Sequence, residues 1–435
     1  MQIAMIGTGY VGLVSGTCFS EFGFNVICVD KDDAKIEKLK SNMIPIYEPG
    51  LEALVERNQT AGRLSFTTDL KDAVSRADIV FIAVGTPTRR GDGHADLSYV
   101  YSAAKEIAAS ISGYTVVVTK STVPVGTGKQ VFEIIKNENP DLEFDVASNP
   151  EFLREGSAIN DFMRPDRVVV GTMGKKAKKM LQQIYRPLYL IETPIQFTDL
   201  ETAELIKYAA NAFLAVKISY INQIADLCEQ VGADVHDVAK GMGLDKRIGG
   251  KFLHPGPGYG GSCFPKDTLA LVKTAELVGS QISIVDEVVR YNQERKRSMS
   301  DRILSQMQSD VSGKTISILG LAFKPETDDM RDSPALDIIP ELISKGANIT
   351  AYDPAAMQEA KSLLSDKVVF AADSEACIKD ADACVIITEW NEFRAITAVR
   401  FLELMKGNVI VDLRNVYLPS EMRDVGLNYS SIGRR

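Results

Sequence analysis

Short apolar runs of strand length alternate with stretches of helical spacing twice along this chain, in its first half and again in its last third. No other feature restricts the fold as much. The first series of expected strands is Gln2–Ile6, Asn25–Val29, Ile79–Val84, Thr115–Thr119, Phe144–Ala147 and Val168–Val170, with helical spacing over Leu97–Ile111 and Gly126–Lys136. Such alternation favours a parallel sheet, because each helical crossover returns the chain to run in the same direction, and it covers both faces of the sheet. The second series is Thr315–Gly320, Asn348–Tyr352, Ala383–Thr388 and Asn408–Asp412. Between the two, Asp199 to Val231 holds neither proline nor glycine, and Leu205, Ala209, Ala212 and Val216 recur at helical spacing. That predicts one helix of about 30 residues, about 45 Å long, followed by further helices to Asp301. The tail after Ser430 is expected to fray, and the loop Arg89–Ala95 is assigned no role.

A chain of 435 residues exceeds what one core supports, so two or three domains are expected. Its longest apolar runs, such as Asp78–Val84, have strand length and fall short of the roughly 18–20 residues of a membrane span. Residues Met1–Ile6 enter a strand without a basic segment or cleavage site, which argues against a secretory signal. The net charge of −9 disfavours nonspecific nucleic-acid binding but leaves room for a local basic patch that holds a small anion. Six cysteines without CxxC spacing, and three histidines, argue against a disulfide framework or a metal site and for a reducing cytoplasm.

Gly7-Thr-Gly9-Tyr10-Val11-Gly12 follows the first expected strand and opens a helix. Gly7 permits the tight turn, Gly9 lets backbone approach a pyrophosphate, and Gly12 allows close packing of helix on strand. The helix amino terminus, at Tyr10 and Val11, offers N–H groups to phosphate. The second strand ends at Asp30, where a carboxylate binds ribose hydroxyls and repels a 2′-phosphate. The pattern therefore reads as a Rossmann-type site for NAD, with Lys35 near Asp30. Thr86 follows another strand and either bonds the cofactor or belongs to a plain turn. Thr122, in Ser121-Thr-Val-Pro-Val-Gly126, is a candidate to position a hydroxyl or a water.

The segment from Phe252 to Asp267 presents Cys263 from a loop rich in glycine and proline, just before a helix read over Thr268–Val278. The helix dipole and Lys266 favour thiolate, the reactive form. The other five cysteines fall inside expected strands or helices and read as small buried hydrophobes. Lys207 and Asn211, four residues apart, share a helix face with Glu204 nearby. They either hold a developing alkoxide or form a solvated polar stripe. In Asn149-Pro-Glu151-Phe-Leu-Arg-Glu155-Gly, either Glu151 or Glu155 works as general acid or base through water, or the carboxylates cap a helix start.

Taken with Lys207-Tyr-Ala-Ala-Asn211, Gly258-Tyr-Gly-Gly-Ser-Cys-Phe-Pro-Lys-Asp267 and Leu321-Ala-Phe-Lys-Pro-Glu-Thr-Asp-Asp-Met-Arg331, these motifs resemble the UDP-glucose/GDP-mannose dehydrogenase family over nearly the whole chain. The resemblance implies an α/β fold of two Rossmann-like parallel-sheet domains joined by the long helix and a helical segment. Residues 1–198 would bind NAD. Residues 199–300 would dimerise and carry the nucleophile, and residues 301–435 would bind the UDP-sugar. The implied reaction is the four-electron oxidation of UDP-glucose to UDP-glucuronate with two NAD⁺, through a thiohemiacetal and a thioester on Cys263. By the same resemblance Lys207 and Asn211 hold the C6 oxygen, and Asp267 assists proton transfer or orients Lys207. Thr122 and Glu155 handle water, with Glu151 in support. Thr122, Glu155, Lys266 and Arg331 also contact the cofactor. The sugar nucleotide is lined by Glu151, Phe152, Leu153, Arg154 and Glu155. Phe252, Leu253, His254, Pro255, Gly256 and Gly260 form the rest of its lining, and Lys324 closes on it. Arg247 reaches the diphosphate from the same subunit or across a dimer.

Three alternatives stand beside this reading. A GDP-mannose or UDP-N-acetylhexosamine 6-dehydrogenase shares the mechanism, but Arg247–Gly256 and Lys324–Arg331 look more like the UDP-glucose group. A two-electron β-hydroxyacid dehydrogenase needs no cysteine. A silent nucleotide-sugar or NAD sensor would be expected to lack Cys263, Lys207 or Asp267.

Overall fold

The structure, a computed structural model, describes residues 1–89, 93–308 and 310–434, so part of the Arg89–Ala95 loop lies outside it. It divides into two compact units, Met1–Ala210 with Lys273–Gly279, and Asn211–Val272 with Ser280–Arg435.

The first unit is built on a sheet of β1 (Gln2–Ile6), β2 (Asn25–Val29), β3 (Leu64–Thr67), β4 (Ile79–Ile82), β5 (Thr115–Thr119), β6 (Phe144–Ser148), β7 (Val168–Thr172) and β8 (Ile195–Thr198). Their spatial order is β3-β2-β1-β4-β5-β6-β7-β8. Side chains alternate between the faces as strand geometry demands. Ile3, Met5, Val26 and Cys28 enter one core, while Ala4, Ile6, Ile27 and Val29 enter the other. The pairings are parallel except that β7 runs antiparallel to β6 through Ala147↔Thr172 and Ser148↔Gly171. The expectation of a parallel sheet needs that local correction. The intervening chain holds only the short helix Ala158–Met163 and re-enters the sheet at the end where β6 left it.

The second unit carries β9 (Thr315–Leu319), β10 (Asn348–Tyr352), β11 (Val368–Phe370), β12 (Ala383–Ile386), β13 (Val409–Asp412) and β14 (Asn428–Ser431), all parallel, in the order β11-β10-β9-β12-β13-β14. This repeats the order of the first six strands of the other sheet. The turn geometry repeats too. Gly7 N–H donates to Val29 O at 2.7 Å and Gly320 N–H to Tyr352 O at 2.9 Å, and both glycines have positive φ, 99° and 93°.

Strands β3, β8, β11 and β14 were not read from the sequence. They are short, and several of their residues are exposed or half-buried, so their apolar signal is thin. The long helix spans Leu200–Val231, close to the expected bounds. The expectation of a frayed tail is wrong. Ser431 still belongs to β14, Gly433 N–H bonds Glu229 at 2.7 Å, Val235 N–H bonds Gly433 O at 2.9 Å, and Arg434 pairs with Asp234 at 3.2 Å. A Cβ on Gly433 would lie 2.7 Å from the Ala225 side chain, so glycine alone lets the tail lie this close to the long helix.

Candidate active site

In the first unit, the turn after β1 is closed by glycine. A Cβ on Gly7 would come within 2.6 Å of Ala83 O, and one on Gly12 within 2.0 Å of Gly7 O, so neither position admits a side chain. At Gly9 a Cβ would meet nothing within 4 Å, and the backbone there faces open space. Asp30 ends the second strand and accepts bonds from Thr8 N at 3.0 Å, Thr8 Oγ1 at 2.6 Å and Lys35 Nζ at 2.9 Å. Burial alone would raise its carboxyl, but these donors outweigh burial and bring it down to about 2. Its charge is thereby kept, and Lys35 is engaged with it. A bare turn, an open backbone approach and an ionised carboxylate fit NAD.

The loops at the carboxyl ends of β4, β5 and β6 meet here. Thr86 Oγ1 donates to Thr122 O at 2.9 Å, so Thr86 ties this loop to the next one rather than sitting in an isolated turn. Glu151 forms an ion pair with Lys207 at 2.9 Å, both side chains about 5% exposed or less, and also accepts from Leu153 N. Burial would raise the Glu151 carboxyl, but the ammonium beside it holds it below the usual range. The alternative of a solvated lysine stripe therefore fails at Lys207, which is buried. Glu151 caps no helix either: the next one begins at Ala158, behind Ser157. Glu155 is half-buried, and Phe152 lies under the Lys207 ammonium, 5.3 Å from ring centre to Nζ. Arg154 turns to an ion pair with Asp161 at 2.6 Å.

Sequence reasoning missed two buried charges around this loop. Glu48 accepts from Gly156 N at 2.7 Å, Ala158 N at 2.8 Å and the Tyr10 hydroxyl, and so ties the glutamate loop to the glycine turn. Its place in Tyr47-Glu48-Pro49-Gly50, an acid among turn formers, was the available signal. Lys120 is buried beneath, donates to Asn149 Oδ1 at 3.2 Å, and is pushed down to about 8 by burial.

In the second unit, Cys263 is the half-exposed cysteine, and the other five are buried. Burial pushes Cys18, Cys28, Cys377 and Cys384 upward, away from thiolate. The helix after Cys263 begins sooner than expected, at Phe264, with Pro265 in its first turn. Asp267 N–H bonds Cys263 O at 2.8 Å, which puts the cysteine at the helix cap. Asp267 accepts from Asn211 Nδ2 at 2.6 Å and Lys266 Nζ at 2.7 Å, and Asn211 is likewise buried.

The loop leading to the cysteine is held by its backbone. Gly256 N–H bonds Asn222 at 2.8 Å, Gly256 O accepts from Arg295 at 2.7 Å, and Asn292 exchanges bonds with both ends of Tyr259. These holders lie on helices whose inward faces the sequence alone does not single out. Phe252 sits in the left-handed region at φ 64°, a strained setting for a bulky residue. Gly260 and Gly261 pack against Asp332 O and the Phe323 ring, where any Cβ would clash. Lys324 lies over Phe323, Arg331 pairs with Asp329 at 2.8 Å, and Arg414, also missed, lies against Gly256. Pro255 is buried in this loop. A cavity of about 380 Å³ opens beside it, lined by His236, Ala239, Lys240, Leu244, Leu253 and His254. Arg247 is 89% exposed and bound to Asp245. Among the described residues, no group of histidine, cysteine, aspartate and glutamate is arranged to hold a metal ion, and no helix is long and apolar enough to cross a membrane.

A glycine turn open to a pyrophosphate, with an ionised carboxylate at the end of the next strand, defines a protein of the nicotinamide-dinucleotide-binding class. Profiles of the UDP-glucose/GDP-mannose dehydrogenase family match three stretches: its NAD binding domain over residues 1–189, its central domain over 201–294 and its UDP binding domain over 317–419. The chain is 58% identical to UDP-glucose 6-dehydrogenase of Rhizobium meliloti, with both proteins covered in full. It is 52% identical to UDP-glucose 6-dehydrogenase TuaD of Bacillus subtilis, covering 100% of this chain and 93% of that one. Among solved structures, a UDP-glucose dehydrogenase from Pyrobaculum islandicum superimposes with a TM-score of 0.92 at 37% identity, covering 100% and 98% of the two chains. The chain belongs to the UDP-glucose/GDP-mannose dehydrogenase family and is an NAD-dependent dehydrogenase.

Proposed function

We propose that this chain oxidises UDP-glucose to UDP-glucuronate with two NAD⁺ in succession, using Cys263 as covalent nucleophile. The observation that carries the reading is the full-length likeness to UDP-glucose 6-dehydrogenases. NAD⁺, when bound, accepts hydride from C6. It would be held by the Gly7–Gly12 turn with Tyr10 and Val11, by Asp30 with Lys35, and by Thr86, Thr122, Glu155, Lys266 and Arg331.

The remaining chemistry falls to the chain's own side chains. Lys207 and Asn211 donate to the C6 oxygen as its negative charge develops. Asp267, bonded to Asn211 and Lys266, orients them and relays the proton. The Cys263 sulfur adds to the aldehyde carbon, and the carbonyl oxygen takes up a proton to give a thiohemiacetal. This adduct is a better hydride donor than the aldehyde, and the bond keeps the intermediate from escaping. After the second oxidation the product is a thioester. Water handled by Thr122 and Glu155, with Glu151 in support, attacks the acyl carbon. The C–S bond breaks, the thiolate leaves, and the carboxylate is released.

The Glu151–Glu155 segment, Phe252–Gly256 with Gly260, and Lys324 bind the sugar nucleotide, and the cavity beside Leu253 and His254 takes its base. Arg247 reaches the diphosphate. We also assign residues 1–198 to NAD, 199–300 to dimerisation and the nucleophile, and 301–435 to UDP, in a homodimer in the cytoplasm. An exposed stripe on the long helix supports the dimer: Phe213, Tyr220 and Leu227 stand at sevenfold spacing and are 47–64% exposed.

The test supplies purified protein with UDP-glucose and NAD⁺ at about pH 8.5, near the ordinary thiol pKa. NADH is then counted per sugar consumed, with GDP-mannose as a parallel arm. Two per UDP-glucose is expected. One would indicate a simple alcohol dehydrogenase, none a sensor, and preference for GDP-mannose the other branch of the family.

A further inference from the structure

Behind Thr122, at the carboxyl ends of β5 and β6, lies a small cavity of about 10 Å³, walled by Thr119, Ser121, Thr122, Ser148, Glu204 and Lys207 among others. That is close to the smallest space that admits one water, and a water needs polar partners to stay there. The partners are present. The Thr119 hydroxyl is 2% exposed and has no hydrogen-bond partner among the described residues. A buried hydroxyl left without a partner costs free energy, so such groups mark places where a water belongs.

Glu204 supplies the second wall. It stands on the long helix one turn before Lys207 and is 3% exposed. Its Oε2 accepts from Gly126 N at 2.7 Å, and its Oε1 accepts from Gly128 N at 2.8 Å and Ser148 Oγ at 3.0 Å. A carboxylate has about four lone-pair sites, so these three bonds leave room for one further donor. The two glycines flank the start of the helix Thr127–Glu138, directly after the Thr122 loop. A Cβ on Gly128 would lie 3.0 Å from Glu204 Oε1, so glycine is what lets the carboxylate reach the backbone. Glu204 therefore ties the loop bearing Thr122 to the helix bearing Lys207, with the cavity between them.

We propose that this cavity holds one resident water, bonded to Thr119 and Glu204, and that Glu204 with this water is the positioning device that sets Thr122 and Lys207 for the reaction. The proposal rests on the roles given to those two residues above. Only the ionised carboxylate can accept both glycine N–H groups together with the water. Burial pushes the Glu204 carboxyl up to about 7, against its backbone bonds. The charged and titratable groups facing it are Glu201 and Lys207 on its own helix, Lys129 on the Thr127–Glu138 helix and Tyr101 on Ser98–Ala108; Lys129 is itself paired with Glu201. The positioning form is thus present above about pH 7 and lost as pH falls through it.

The experiment uses full-length protein carrying Glu204→Gln or Thr119→Val, with UDP-glucose and NAD⁺. Glu204→Gln is expected to lower kcat about 10- to 100-fold, as a small misplacement of catalytic groups does, with both KM values held within about twofold. The wild-type acid limb of kcat near pH 7 should vanish in it. Thr119→Val, which removes one hydroxyl at nearly constant shape, should lower kcat several-fold and carries the kinetic test if Glu204→Gln does not fold. A high-resolution crystal structure should show a water bonded to Thr119 and Glu204. A dry cavity overturns the proposal, as do folded variants with unchanged kcat and an unchanged acid limb. If the wild type makes no NADH from UDP-glucose, the earlier reading fails instead, and the crystallographic density alone decides the water.

Discussion

At the scale of single residues, the contrast among the cysteines matters most. Five are buried in strands or helices, while Cys263 caps a helix from a loop held by Asn222, Asn292 and Arg295. Cys263→Ser should leave UDP-glucose binding nearly unchanged by calorimetry while abolishing steady NADH production. Sustained turnover at the native rate would refute the assigned role. The Glu151–Lys207 pair is the second residue-scale feature. Removing one partner of a buried pair strands the other charge and typically costs about 3–5 kcal/mol. Glu151→Ala should therefore show a loss of that order in urea unfolding; a loss under about 1 kcal/mol, the range of exposed pairs, would mean the pair is solvated. The sequence supplied Cys263, Lys207 and Glu151 by motif. It did not supply Glu48 or Lys120 as parts of the site, and it set Glu204 near the Lys207–Asn211 face without a role, because a carboxylate or amine signals burial only through partners far along the chain. Glu48 bonds residues more than a hundred positions away.

At the scale of elements, the long helix has two characters. Its Glu204, Lys207 and Asn211 are buried, whereas Phe213, Tyr220 and Leu227 are exposed. If the exposed stripe is the dimer seam, Tyr220→Asp with Leu227→Asp should shift sedimentation from dimer to monomer at micromolar concentration, because charges on an apolar seam must be desolvated to pair. An unchanged dimer would place the interface elsewhere. The helix was readable because over thirty residues of uninterrupted periodicity outweigh local ambiguity. Strands β3, β8, β11 and β14 were not, since each has only three or four residues: β3, β8 and β14 mix polar with apolar ones, and β11, though apolar, is just Val368–Phe370. The antiparallel entry of β7 was also invisible: pairing direction depends on where the chain re-enters the sheet, not on composition.

At the scale of the whole molecule, the same strand order is used twice with different consequences. Asp30 and Asp353 occupy equivalent places after the second strand of each sheet. Asp30 is only half-buried, and Asp353 is wholly buried. Asp353 accepts from Leu321 N, Ala322 N, Ala355 N, Ala356 N and Trp390 Nε1, so its oxygens are consumed in holding its own turn. Asp353→Ala should therefore lower the thermal midpoint strongly, since each stranded buried donor costs about 1–3 kcal/mol. Asp30→Ala should raise the KM for NAD⁺ about tenfold or more with a small change in stability. Equal effects of the two on stability, with no change in the KM for NAD⁺, would contradict this division of labour. Because its donors keep Asp30 ionised down to about 2, its contribution is lost only as pH falls through that value, and NAD⁺ affinity should not titrate with it above about pH 5.

The amino-acid sequence by itself determined the two alternating series, the long helix, the dinucleotide turn and the cysteine loop. Each of these is encoded locally, in periodicity or in glycines that no other residue can replace. Tertiary structure alone decided which acids are spent on the fold and which keep their charge at the site. It also decided that the carboxyl-terminal tail is pinned, and that Glu204 and Thr119 wall a water-sized space behind Thr122. Those outcomes depend on desolvation and on partners brought together by the packing of helices against the sheets, and neither is written in any short stretch of chain.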